Sequence, residues 1–158
     1  MKKNLNKVFL ILFLFITSNC GYKVLNNSEI NNFNMVQIKS SGDQRINFKI
    51  KNILTVNSSK NKENSLVMEL STKKEKKVKE KNIKNEITKY EILLSSRVKL
   101  NFLENNKEKE FTVASSGDYI VGNKYSTTLS NEKRLISNLT EDLSKKIINN
   151  INLVLNDF

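Results

Sequence analysis

The chain has 158 residues, no His, Pro or Trp, a single Cys, and a formal charge of +11 from 27 Lys and Arg against 16 Asp and Glu. Without His or a second Cys, ordinary zinc and copper sites and His-based acid–base catalysis lack their donors, and no internal disulfide can form. The length supports one modest core and not two.

The chain opens on Met1, Lys2, Lys3 and Lys7, continues through an unbroken apolar run at residues 8–16, and reaches Cys20 through Thr17, Ser18 and Asn19. A basic start, a short apolar run and small polar residues before a cut site form the pattern of a secretory signal. The apolar run is about half the length a membrane-crossing helix needs. The only cysteine sits where the cut would fall, a position suited to a thiol that receives lipid after export. Residues 1–19 are therefore predicted to be a lipoprotein signal peptide and residues 20–32 a lipidated tether with the acyl chains on Cys20. Two or more acyl chains give stable anchoring where one is marginal. Thr17 and Asn19 stand where such signals usually carry Leu and a small residue. Gly21, rather than Asp, after the Cys favours the outer membrane over inner-membrane retention. A soluble exported protein with a free thiol and an uncleaved anchor are the blander readings. Lys2, Lys3 and Lys7 leave with the signal and the remainder stays basic. A basic exported protein can meet anionic lipid, phosphorylated glycolipid or acidic polymer, and nucleic acid is not an expected partner. The wealth of Lys, Asn and Ile also fits an AT-rich genome, a compositional source for part of the charge.

In the remainder, residues 33–158, a single α+β domain is predicted. Phe33, Met35, Val36 and Ile38 mark a short strand, and Ser40, Ser41, Gly42 and Asp43 supply turn and helix-capping residues. Residues 45–56 carry Ile46, Ile50, Ile53 and Leu54 at helical spacing, although Ile46, Phe48 and Ile50 also alternate. The preceding cap and the closing Asn57, Ser58 and Ser59 favour a helix. Residues 65–71 are a second strand candidate running into a lysine-rich stretch at 72–81. That stretch is expected to be a solvated loop or a strand end protruding from the core.

Residues 86–102 are the clearest strand. Tyr90, Ile92, Leu94, Val98, Leu100 and Phe102 share one face, with Glu91, Ser95, Arg97, Lys99 and Asn101 on the other and Leu93 as the exception. Glu104, Asn105, Asn106 and Lys107 make a turn, and residues 111–116, extending toward 121, return as the partner strand of a long hairpin. At the end, Leu135, Leu139, Leu143, Ile147 and Ile151 recur every four residues, and Ile136, Ile148, Val154 and Leu155 widen the stripe. A stripe this wide packs on a flat apolar surface, most simply the sheet. Thr128 or Ser130 is expected to cap this helix. The fold class predicted is two helices packed on one face of a roughly four-stranded, mostly antiparallel sheet.

No catalytic constellation emerges. Ser144 and Lys145, and likewise Glu141 and Asp142, are adjacent on a helix and point in different directions. No phosphate-cradling loop exists among four glycines. A non-enzyme is expected, without cofactor or metal beyond the covalent lipid on Cys20.

This order of elements resembles the LPS-assembly lipoprotein family LptE. The likeness is carried by Cys20, Gly21 and Tyr22 at the mature start and by Lys89, Tyr90, Glu91, Ile92, Leu93 and Leu94 opening the long alternating strand. Tyr119 and Tyr125 about the following turn, and a terminal helix with its every-fourth-residue stripe, complete it. The lysine-rich stretch at 73–84 departs from the family pattern. The resemblance implies a protein on the periplasmic side of the outer membrane. It would plug an LptD-type outer-membrane β-barrel, help that barrel fold and help lipopolysaccharide reach the outer leaflet. The expected partners are that barrel, lipopolysaccharide and the outer membrane through the lipid anchor.

A polar strand face suits a plug, because large barrels have polar interiors. Arg97, Lys99, Lys107 and Lys109 are the expected cationic rim, placed to meet lipopolysaccharide phosphates by charge-assisted hydrogen bonds. An ordinary solvated sheet face is the competing reading. The alternative functions are a periplasm-facing lipoprotein accessory of an exporter, a lipid- or cell-wall-binding module, and a soluble exported binding protein.

Overall fold

In the computed structural model, residues 33–59 and 64–156 are described. The predicted signal and tether, Cys20 included, lie outside them. The elements are strand β1 (Asn34–Gly42), helix α1 (Gln44–Asn57), strands β2 (Ser65–Lys81), β3 (Ile87–Phe102) and β4 (Lys107–Ile120), and helix α2 (Tyr125–Asn156). The sheet order is β1-β2-β3-β4. β1 runs parallel to β2, and the other two pairings are antiparallel. The result is the α+β fold of two helices and a four-stranded mixed sheet.

The alternation of β3 becomes the centre of the core. Ile92, Leu94, Val98, Leu100 and Phe102 are buried on one face beside Leu66, Met68 and Leu70 of β2. Helix α2 lays Leu139, Leu143, Ile147 and Ile151 over this face, mainly against β4 and β3. Helix α1 adds Ile46, Ile50 and Leu54, against β1, β2 and α2. The ambiguous stretch at 45–56 is a helix because Asp43 caps it, its carboxylate accepting from the Arg45 and Ile46 N–H groups.

Two expectations change, and one open alternative is decided. β1 runs on through Ser40, Ser41 and Gly42 instead of turning there, because β2 offers partners as far as Thr72. Thr128 and Ser130 lie inside α2, which starts at Tyr125; the Thr128 hydroxyl instead accepts from the Gly122 N–H at 2.9 Å. Of the two readings of the lysine-rich stretch, the strand end is the one formed, paired to β3 until Lys81 meets Ile87. There β3 supplies the apolar partners, and the backbone ladder carries a segment whose own pattern is almost wholly charged.

Candidate functional site

The two sheet faces differ sharply. One is covered by the helices; the other carries a ladder of charge set by register. Lys39 of β1 pairs with Glu69 of β2, Glu69 with Lys99 of β3, and Lys99 with Glu110 of β4. Signs alternate across all four strands, the arrangement in which cross-strand neighbours attract. The next row is Ser41, Ser71, Arg97 and Thr112. Between these rows lies a depression of 430 Å³ bordered by Lys39, Ser41, Glu69, Arg97, Lys99 and Glu110.

Two residues of the expected rim stand here. Arg97 pairs with Glu110 at 3.3 Å and Lys99 with Glu108 at 2.9 Å. The Glu108 hydrogen bond holds the Lys99 ammonium above the ordinary lysine range, with Glu69 and Glu110 adding attraction. An incoming phosphate would therefore compete with carboxylates already in place.

Lys107 and Lys109 are elsewhere. Lys109 pairs with Leu100 and Lys107 with Phe102, so both sit on the helix-side face at the mouth of the hairpin. The four cations do not form one rim. The turn between β3 and β4 brings odd-numbered residues of one strand opposite even-numbered residues of the other, and this splits a group that looked continuous along the chain.

A more closely built cluster lies at the far end of the helix-side face, and sequence reading missed it. Strand β2 brings Lys76 inward opposite Ile92. Its ammonium donates to Glu132 Oε2 at 2.8 Å, and the Tyr119 hydroxyl donates to the same oxygen at 2.9 Å. Tyr90 and Tyr119 stack at 5.6 Å, and the ammonium stands 4.3 Å from the Tyr90 ring centroid, a cation–π distance. Burial works against the Lys76 charge, but Glu132 and Tyr119 outweigh it and hold its pKa above the usual value. Burial likewise works against the Glu132 carboxylate, and hydrogen bonds from Lys76 and Tyr119 overcome it and hold it low. Burial is the first cause that raises the Tyr119 hydroxyl.

Beside the cluster opens a pocket of 380 Å³ lined by Tyr90, Val121, Tyr125, Leu129 and Glu132 among others. The signal for it was present: the alternation of Leu66, Met68 and Leu70, continued through Thr72 and Lys74, puts Lys76 on the inner face.

Among the described residues no group of three or more His, Cys, Asp or Glu is placed to hold a metal ion. No helix there is long and apolar enough to cross a membrane.

No protein-family model matches the chain, and no curated protein does. Solved structures do. Rare lipoprotein B of Shewanella oneidensis superposes with a TM-score of 0.62 at 12% identity, over 78% of this chain and 98% of the other. A lipoprotein of Caulobacter crescentus gives 0.57 at 13% identity, over 83% and 95%. Lipoprotein B of Nitrosomonas europaea gives 0.56 at 12% identity, over 86% and 93%. What these similarities establish is the fold, shared over almost the full length of each neighbour.

Proposed function

We propose that this chain is an outer-membrane lipoprotein of the LptE type, anchored through Cys20. In this reading it plugs and helps assemble an LptD-type β-barrel that delivers lipopolysaccharide to the outer leaflet. One observation carries the reading: a fold shared with three bacterial lipoproteins, on a chain that opens with a basic start, an apolar run and a cysteine at the cut. The uncovered sheet face supports it. Barrel lumens are polar, and a face of paired charges and small hydroxyls can meet such a wall without burying an unpaired ion. The domain needs no catalytic group for this task; its contribution is shape, polarity and stability.

The test is a mild-detergent pull-down of the tagged protein from membranes, followed by mass spectrometry. A large outer-membrane β-barrel in stoichiometric amount is the expected result. A clean protein without a barrel would overturn the plug reading and favour an exporter accessory. Globomycin separately tests the anchor: processing that is unchanged in its presence would remove Cys20 as the lipid site.

A further inference from the structure

Strand β2 is 17 residues long, and β1 accompanies it only from Ser65 to Thr72. At Gly42, whose φ is +87°, β1 ends and the chain departs into α1. Past that point every residue of β2 from Lys73 to Lys81 is exposed. The register with β3 is unbroken from Leu66 to Val78, and the first irregularity follows Val78. Residues 73–78 are thus a regular strand of roughly 20 Å, with no strand on the side away from β3 among the described residues.

The direction of the backbone groups on that edge follows from three hydrogen bonds. The carbonyls of Asn64 and Thr72 accept from the N–H groups of Asn34 and Asp43, on the β1 side, and the carbonyl of Ser65 accepts from Leu103, on the β3 side. The N–H and C=O of one strand residue point the same way, and the direction alternates along the strand. Even-numbered residues of β2 therefore face β1 and odd-numbered ones face β3, with no bulge to reverse them before Val78. Beyond Thr72, the N–H and C=O groups of Lys74, Lys76 and Val78 face the open side.

Side chains decide what can dock there. Val78 stands on the helix-side face, 47% exposed and paired with Tyr90. Residues 73–81 hold six Lys and two Glu, so the edge is cationic along its length. Lys74 meets Asp43 at 3.7 Å and Lys77 meets Glu75 at 3.3 Å, but exposed pairs of this kind contribute little and can be exchanged for others. Lys73 lies opposite Ser95, with Arg97 close by.

We infer that residues 73–78 take up an additional strand, an extended acidic segment of a partner protein lying beyond the end of β1. Its backbone pairs with Lys74, Lys76 and Val78. Its acidic side chains meet Lys73 and Lys77 on the uncovered face, and an apolar side chain on the other face extends the surface of Val78. Strand addition takes its affinity from main-chain hydrogen bonds and its specificity from alternate side chains. Opposite charges on neighbouring strands attract and like charges repel, so the lysines that admit an acidic segment turn away a second copy of this strand. The inference goes beyond the plug reading and stands on the sheet alone, so a failed barrel pull-down would leave it in place.

The probe is a capped peptide of alternating Glu and Val, about ten residues long, within the range of ordinary strands. A peptide of alternating Lys and Val is the control. Full-length protein in mild-detergent micelles is followed by residue-resolved amide hydrogen exchange. The expected result is roughly tenfold or greater slowing at Lys74, Lys76 and Val78 with the acidic peptide alone; Lys73, Glu75 and Lys77, whose N–H groups face β3, serve as the internal reference. Lys74→Pro removes a donor on the open side, where proline is tolerated, and should weaken peptide binding roughly tenfold. Should that variant fail to fold, Lys73→Glu with Lys77→Glu is expected to reverse the preference between the two peptides. No slowing with the acidic peptide overturns the inference, and so does binding that perturbs the lysine side chains without slowing the three amides. Equal slowing by both peptides overturns the acidic partner. Slow exchange at the three amides in the free protein means that the chain itself or a second copy covers the edge, and this too overturns the inference.

Discussion

Glu132 Oε2 accepts from both Lys76 and Tyr119, so one carboxylate oxygen ties β2, β4 and α2 together. Glu132→Gln is expected to lower stability by about 1–2 kcal/mol at neutral pH, since hydrogen bonds to a charged group are worth more than neutral ones and partial exposure screens the ion pair. The pH dependence follows from the shifts. The folded pKa of Glu132 lies below the ordinary 4.5, so its contribution is complete above that value and fades as pH falls through the lower folded value. Lys76 lies above the ordinary 10.5, so its share is lost only as pH rises through the higher folded value. The gap between wild type and Glu132→Gln should therefore be flat through neutrality and close in acid. Urea midpoints at a series of pH values check this, and a gap that persists in strong acid would contradict it. Gly42 supplies a second residue-scale expectation. Its φ is +87°, and a Cβ there would collide with the Thr72 carbonyl. Gly42→Ala should cost about 1–3 kcal/mol from backbone strain, readable as a lowered urea midpoint, whereas Gly117, without a positive φ, meets only the flexible Leu135 and Leu139 side chains.

At the scale of elements, β2 is the strand most exposed to wrong pairing. β1 pairs with it only as far as Gly42 opposite Thr72, while β2 continues to Lys81. Beyond Thr72 the side away from β3 has no strand partner among the described residues. An open edge invites pairing with another chain, and lysines and bulges are what natural sheets place on such edges. β2 has both: its lysines, and register shifts about Glu80. Replacing Lys73, Lys77 and Lys79 together with Thr is expected to increase concentration-dependent self-association over that of the unaltered chain. Sedimentation velocity measures this, and an unchanged distribution would assign the lysines another role. The same strand shows where sequence reading stops. The alternation of β3 and the stripe of α2 announce themselves because half of each is buried. The second half of β2 announces nothing, because its conformation is imposed by the β3 ladder. Asp43 was legible as a cap, whereas the cap expected at Thr128 or Ser130 failed because the helix starts earlier, at Tyr125, and Thr128 is taken up by the Gly122 N–H, an approach that spacing does not contain. The separation of Lys107 and Lys109 from Arg97 and Lys99 depends on hairpin register, which spacing along one strand does not contain.

Among the described residues there is one core, and helices α1 and α2 share it. Ile50 of α1, Leu94 of β3 and Leu143 of α2 are each fully buried in the same cluster. Deleting most of any one of these side chains should cost about 2–5 kcal/mol, the transfer loss plus the cavity left behind. Because the cluster is shared, the cost should fall on global unfolding. α1 is the informative case: it is short and covers only the β1–β2 side, so it could in principle melt alone. Yet it is wedged between β1 and α2, and Lys49 reaches Ser137 and Glu141 of α2. Ile50→Ala and Leu143→Ala should therefore lower the same transition, with far-UV dichroism and tyrosine fluorescence tracing one curve in urea. Separate curves in Ile50→Ala would mean that α1 detaches before the rest. The plug reading needs the single curve, because a body that unfolds as one unit presents a fixed polar face to a barrel wall.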